Sequence, residues 1–212
     1  GEKAVDLLRL AVDLHRAGFN VLMYDMRNHG ESAAAPPMAF GQEEAKDLLG
    51  AIAYLNGRAN VAPDRLGVIG FSMGANSLLY ALPQTDQIKA AVAVQPTTVA
   101  VFSEKYGRDL LGPLANLVLP MTEFFYQAAG GLYWSAYRPS FAATGAGATP
   151  VLFVQGNDDP WGDVEDVAQI AEATPNARGP LFVESNDRFG GYQYLIDHPK
   201  VVISFFEQEL PE

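Results

Sequence analysis

Apolar positions along the chain switch between two rhythms. Residues 3–17 carry apolar side chains at helical spacing, and Gly18 follows as a stop. Residues 19–24, FNVLMY, form a short apolar run between turn residues, which predicts a buried strand. The stretch 25–37, DMRNHGESAAAPP, keeps no period and reads as loop. Helical spacing returns over 42–56, with Ala45, Leu48, Leu49, Ile52 and Leu55 on one face. A strand is predicted at 66–69, a helix at 73–82, and a continuous apolar strand at 88–94.

The rhythm breaks over 96–148, a segment rich in aromatic residues that reads as two or three helices closed by the run ATGAGATP. It resumes with a strand at 151–155, a helix at 164–173, a strand at 181–184 and a final helix at 200–209, for which Pro199 suits the first helical position. Strands that are apolar without alternation, separated by amphipathic helices, predict a parallel sheet covered on both faces. The expected architecture is therefore an α/β three-layer sandwich. It forms a single domain over 1–212, with 96–148 inserted as a helical cap.

Composition narrows the chemistry. The 212 residues include 49% hydrophobic and 18% charged side chains, a balance that suits a packed globular chain. The formal net charge of −11 repels phosphate backbones, so no nucleic-acid partner is expected. The absence of cysteine excludes disulfides, thiolate catalysis and cysteine-ligated zinc. Three scattered histidines suggest no metal site; Asp158, Asp159 and Asp163 offer at most a loose hold on a hard cation. No cofactor is expected, since neither a Gly-x-Gly-x-x-Gly turn nor a phosphate-binding Gly-Lys loop is present. With no signal peptide and no apolar run of membrane length visible, no membrane partner and a cytoplasmic location are expected.

Candidate chemistry begins at Gly70-Phe-Ser-Met-Gly74, between a predicted strand and a predicted helix. A sharp strand-to-helix turn holds a central serine in a strained conformation with its oxygen exposed. Ser72 is thus a candidate nucleophile. The backbone N–H of Met73, at the helix start, is a candidate oxyanion donor. Asp159, three residues past Gly156 and just beyond a strand, is placed to orient a base, with Asp158 as the alternative. The base itself is missing from its expected place. The segment Ser185-Asn-Asp-Arg-Phe-Gly-Gly-Tyr-Gln-Tyr194, after the last strand, contains no histidine. His15 and His29 fall at the wrong point in the chain order. His198 is left as a displaced general base or an exposed helix-start residue, and Asp187 and Tyr192 as other groups able to bond to Ser72.

Together these residues resemble the α/β-hydrolase superfamily. GFSMGA is similar to its nucleophile elbow, Tyr24-Asp-Met-Arg-Asn-His-Gly-Glu-Ser32 to its D-x-R-x-H-G-x-S loop, and Gly156–Asp159 to its acid turn. The segment around Arg188 resembles a branch with R-F-x-G-Y in place of the histidine region. The resemblance implies Ser72 as nucleophile, Asp159 as the acid and a structural role for His29. It also implies about three strands ahead of the helix at 3–17, and a second oxyanion donor on the loop after the third. Neither is in the sequence. Either the strand at 19–24 then pairs directly with that at 66–70, in a five-stranded parallel sheet in sequential order, or the chain is a fragment lacking the first strands. The expected function is a serine hydrolase of the esterase type acting on small acyl compounds. The alternative is an impaired hydrolase scaffold that binds a small apolar ligand or a protein partner.

Overall fold

The computed structural model describes residues 7–210. Its centre is a parallel sheet of four strands in sequential order: β1 (Leu66–Phe71), β2 (Ile88–Val94), β3 (Val151–Gly156) and β4 (Ala177–Val183). Register places Ile69 beside Val92 and Val92 beside Leu152. Parallel neighbours need long crossovers, and helices supply them. The helices are α1 (Leu7–Arg16), α2 (Ala45–Asn56), α3 (Met73–Ala81), α4 (Val99–Leu111), α5 (Ala115–Ala128), α6 (Pro139–Ala143), α7 (Val164–Ala173), α8 (Gly190–Asp197) and α9 (Lys200–Glu209).

Two buried clusters define the layers. On one face Ala45, Leu48 and Ile52 of α2, Leu78 and Leu79 of α3, and Val167 and Ile170 of α7 pack on Ile88, Ala91, Val151 and Phe153. On the other, Leu10 and Leu14 of α1, Leu195 and Ile196 of α8, and Val202 and Phe206 of α9 pack on Val92, Val94, Val154 and Val183. Burial from both sides explains why these strands are apolar without alternation. The α/β three-layer sandwich is as the sequence predicts, and the segment 96–148 contains three α-helices, α4 to α6, between β2 and β3.

Three expectations need correction. Residues 19–24 are not a strand, so the sheet of the described residues has four members and not five. Phe19 packs edge-on against Phe206, but Val21, Leu22, Met23 and Tyr24 remain 39–51% exposed. Apolar composition alone does not make a strand; a ladder partner is required, and β1 pairs only with β2 among the described residues. Second, the last strand, expected at 181–184, spans Ala177–Val183, and α8 follows in a segment for which no element is predicted. Third, Pro199 stands at the N-cap of α9 rather than in its first turn. Residues 3–6 of the first predicted helix lie outside the described residues. Among the described residues no helix is long and apolar enough to cross a membrane.

Candidate active site

β1 leads straight into Ser72, whose N–H donates to the Val94 carbonyl at 2.9 Å and so ties the turn to β2. Ser72 adopts φ 50° and ψ −114°, a conformation that costs a non-glycine residue on the order of 1–3 kcal/mol. The flanking glycines are not equivalent. A Cβ at Gly70 would lie 2.3 Å from the Gly74 carbonyl oxygen, whereas one at Gly74 would meet nothing. Only the first is therefore demanded by close approach of backbone to backbone. Met73 opens α3, so its N–H belongs to the first turn, where no acceptor exists within the helix.

Asp159 lies three residues past the end of β3 and is 7% exposed, while Asp158 is exposed. Between Asp159 and Ser72 stands Arg188. It is 4% exposed and follows β4 by five residues, in the segment where a histidine is missing. Arg188 Nη1 donates to Asp159 Oδ2 in a buried ion pair. Arg188 Nη2 donates to Ser72 Oγ at 2.6 Å and to the Gln95 carbonyl at 3.1 Å. The serine and the acid are thus connected, but through a guanidinium.

Gln95 organises this arrangement from the end of β2. It is fully buried, adopts φ 50°, and donates from Nε2 to Asp159 Oδ2 at 2.8 Å. Its Oε1 accepts from the Gly191 N–H at 2.8 Å, which docks the start of α8. A Cβ on Gly191 would sit 2.6 Å from that oxygen, so the second glycine of the pair is needed for the approach. Trp161 N–H donates to Asp159 Oδ1 at 3.0 Å. The carboxylate is consequently held on both oxygens.

Tyr192, on the first turn of α8, is the remaining group at Ser72. Burial pushes its phenol up to about 12; the charge of Arg188 and a hydrogen bond with Ser72 pull the other way, and Asp159 adds to the rise. Tyr192 is therefore a neutral phenol at pH 7. Asp187 does not reach Ser72: its carboxylate accepts from Phe189 N–H at 2.7 Å. His198 is also not brought to the site. It is exposed at the far end of α8, stacked on Tyr194, with Nδ1 3.0 Å from the Tyr194 carbonyl. His29 and His15 are exposed, bonded to the Arg27 and Phe19 carbonyls. Asp163 pairs with Lys105 at 3.1 Å and caps α7. No group of three potential ligands close enough to hold a metal occurs among the described residues.

Sequence reasoning missed Arg188 and Gln95. Arg188 had a usable signal: it is the cation in the segment where the base is absent. Gln95 had none, because its partners lie 64 and 96 residues away.

Comparison with known proteins places the fold. Residues 6–115 match the α/β hydrolase fold family, and the chain belongs to it. It is 30% identical to the uncharacterised protein YqkD of Bacillus subtilis, over 84% of this chain and 57% of that protein. It is 25% identical to the uncharacterised protein YfhR of Salmonella typhi, over 90% of this chain and 63% of that one. The chain thus spans about three fifths of the length of these relatives. Among solved structures, the Pyrococcus furiosus esterase Pf2001 superposes with a TM-score of 0.68 at 24% identity, over 96% of this chain and 77% of the esterase.

Proposed function

We propose that this α/β-hydrolase-fold chain holds a small acyl compound at Ser72, through a carbonyl or carboxylate oxygen, and does not turn esters over as a Ser–His–Asp hydrolase does. The hydrogen bond from Arg188 to Ser72 Oγ carries the proposal. Acyl transfer requires a group that accepts the serine proton as oxygen attacks carbon. A guanidinium donates only, so Arg188 cannot accept it. Tyr192 is a neutral phenol, and Asp159 is separated from Ser72 by the guanidinium and occupied by Arg188, Gln95 and Trp161. Arg188 also takes up a lone pair of Oγ, which lowers its nucleophilicity.

What remains is a site that favours an electron-rich oxygen. The Ser72 hydroxyl proton and the Met73 N–H at the start of α3 are its donors, and the positive charge of Arg188 stands beside them. Butyrate is a suitable probe. At a hundred times its Kd a ligand adds about 2.7 kcal/mol of stability. Butyrate is expected to raise the Tm of the protein, with a smaller rise in Ser72→Ala. An equal Tm rise in both proteins, or none in either, contradicts binding at Ser72.

A second reading, a slow serine hydrolase, is favoured by the strained Ser72 backbone. Strain of this kind is what an elbow uses to present its oxygen. Loss of the base from such a site leaves roughly 10³–10⁴-fold acceleration over water from the oxyanion donors and binding. This reading therefore requires turnover that depends on Ser72.

A further inference from the structure

The hairpin of α4 and α5 presents a face that no other element covers among the described residues. Its inner side is settled: Leu119 packs so close to Gly107 that a Cβ there would lie 2.7 Å from Leu119 Cδ2, and Ala115 is buried. On the outer side of α5 Leu117, Met121, Phe124 and Phe125 follow at steps of four, three and one residues; Leu114 lies in the short turn just before α5 and Leu110 at the end of α4. That spacing puts the four α5 residues on one helix face, with Leu114 and Leu110 at its N-terminal end. All six are 52–67% exposed, and the Phe124 and Phe125 rings touch edge-on at 5.6 Å.

The face is also uncharged. Glu123 is the only charged residue between 110 and 137, in a chain that is 18% charged and carries −11 overall. Its carboxylate is turned to the Trp134 N–H at 2.7 Å.

We propose that this face is a dimer interface, with α5 of one copy packed against α5 of a second copy about a two-fold axis. Area is the first argument. Taking aromatic side chains at ~200 Å² and the aliphatic ones somewhat below, the six residues expose on the order of 700 Å², against about 800 Å² per partner in a stable interface. It also exceeds the roughly 300–600 Å² of the largest apolar patch on a typical monomer. Charge is the second. Two copies at −11 repel wherever their charged surfaces meet, and an isologous contact through this face brings together the part that carries no charge. A lipid surface fits less well. Helices that lie in a bilayer interface carry lysine and arginine on their polar side, and α5 has no basic residue. The inference is independent of the chemistry at Ser72.

The test is the solution mass from about 1 to 100 µM, the range in which interfaces of this size associate. The result expected is a monodisperse species of twice the 22.9 kDa chain mass. The paired substitution Leu117→Asp with Phe124→Asp should weaken association by roughly a hundredfold, since two charges replace central apolar contacts. Both residues are exposed, so the far-UV spectrum and Tm of the variant should stay close to those of the parent. Tyr54→Asp, at an exposed position on α2, should leave the dimer intact. A monomer throughout the range overturns the proposal. So does a dimer or polydisperse mass whose dissociation on dilution to nanomolar protein is unchanged by the paired substitution, or a dimer lost in Tyr54→Asp. Flotation of a monomeric parent with neutral phosphatidylcholine vesicles also overturns it, in favour of a lipid surface.

Discussion

Arg188 and Asp159 form their ion pair where both side chains are almost wholly buried, and each is also bonded to a neutral neighbour. A pair of this kind contributes little relative to apolar replacements, but removing one partner leaves an uncompensated charge. Arg188→Ala is therefore expected to cost about 3–5 kcal/mol in urea denaturation, and the double change Arg188→Met with Asp159→Leu distinctly less. A single-variant cost below about 1 kcal/mol would mean that water reaches the carboxylate and replaces the guanidinium. The residue scale also shows what a motif can and cannot say. Gly70, Ser72 and Asp159 were legible because backbone requirements and chain order mark them. The hydrogen bonds of Gln95 were not, because they are side-chain contacts made across the fold.

At the scale of elements, the helices α2, α3, α7 and α9 and the strands β1 to β3 follow from period alone, because each buries one stripe or both faces. The failures have a shared cause, which is a partner that period does not report. Residues 19–24 have the composition of a buried strand without a neighbour to pair with. Conversely α8 begins with two glycines, and its helix is supported by Tyr192, Leu195 and Ile196 packing on the sheet and by the Gly191–Gln95 bond. The correction at 19–24 can be measured. Leu22→Lys should change stability by less than about 0.5 kcal/mol, as surface changes do, whereas Val92→Ala in β2 should cost about 2 kcal/mol. A comparable loss from Leu22→Lys would show that this segment is core after all.

At the largest scale, the described residues join an α/β-hydrolase scaffold to a site in which a guanidinium links Ser72 and Asp159. The sheet brings the ends of β1, β2, β3 and β4 to one edge, so Ser72, Gln95, Asp159 and Arg188 converge from four different strand ends. That convergence is what the α/β-hydrolase fold provides, and it persists here around a guanidinium instead of an imidazole. The central claim is that Arg188, standing where a base would, leaves Ser72 without a proton acceptor. The most direct measurement is p-nitrophenyl butyrate hydrolysis by the parent, Ser72→Ala, Arg188→His, and Arg188→His combined with Ser72→Ala. Parent activity is expected to be no higher than that of Ser72→Ala. Activity in Arg188→His is expected to require Ser72 and to rise with pH through an inflection near the imidazole value of about 6.5. Efficient hydrolysis by the parent that is lost in Ser72→Ala and not increased by Arg188→His would contradict the claim.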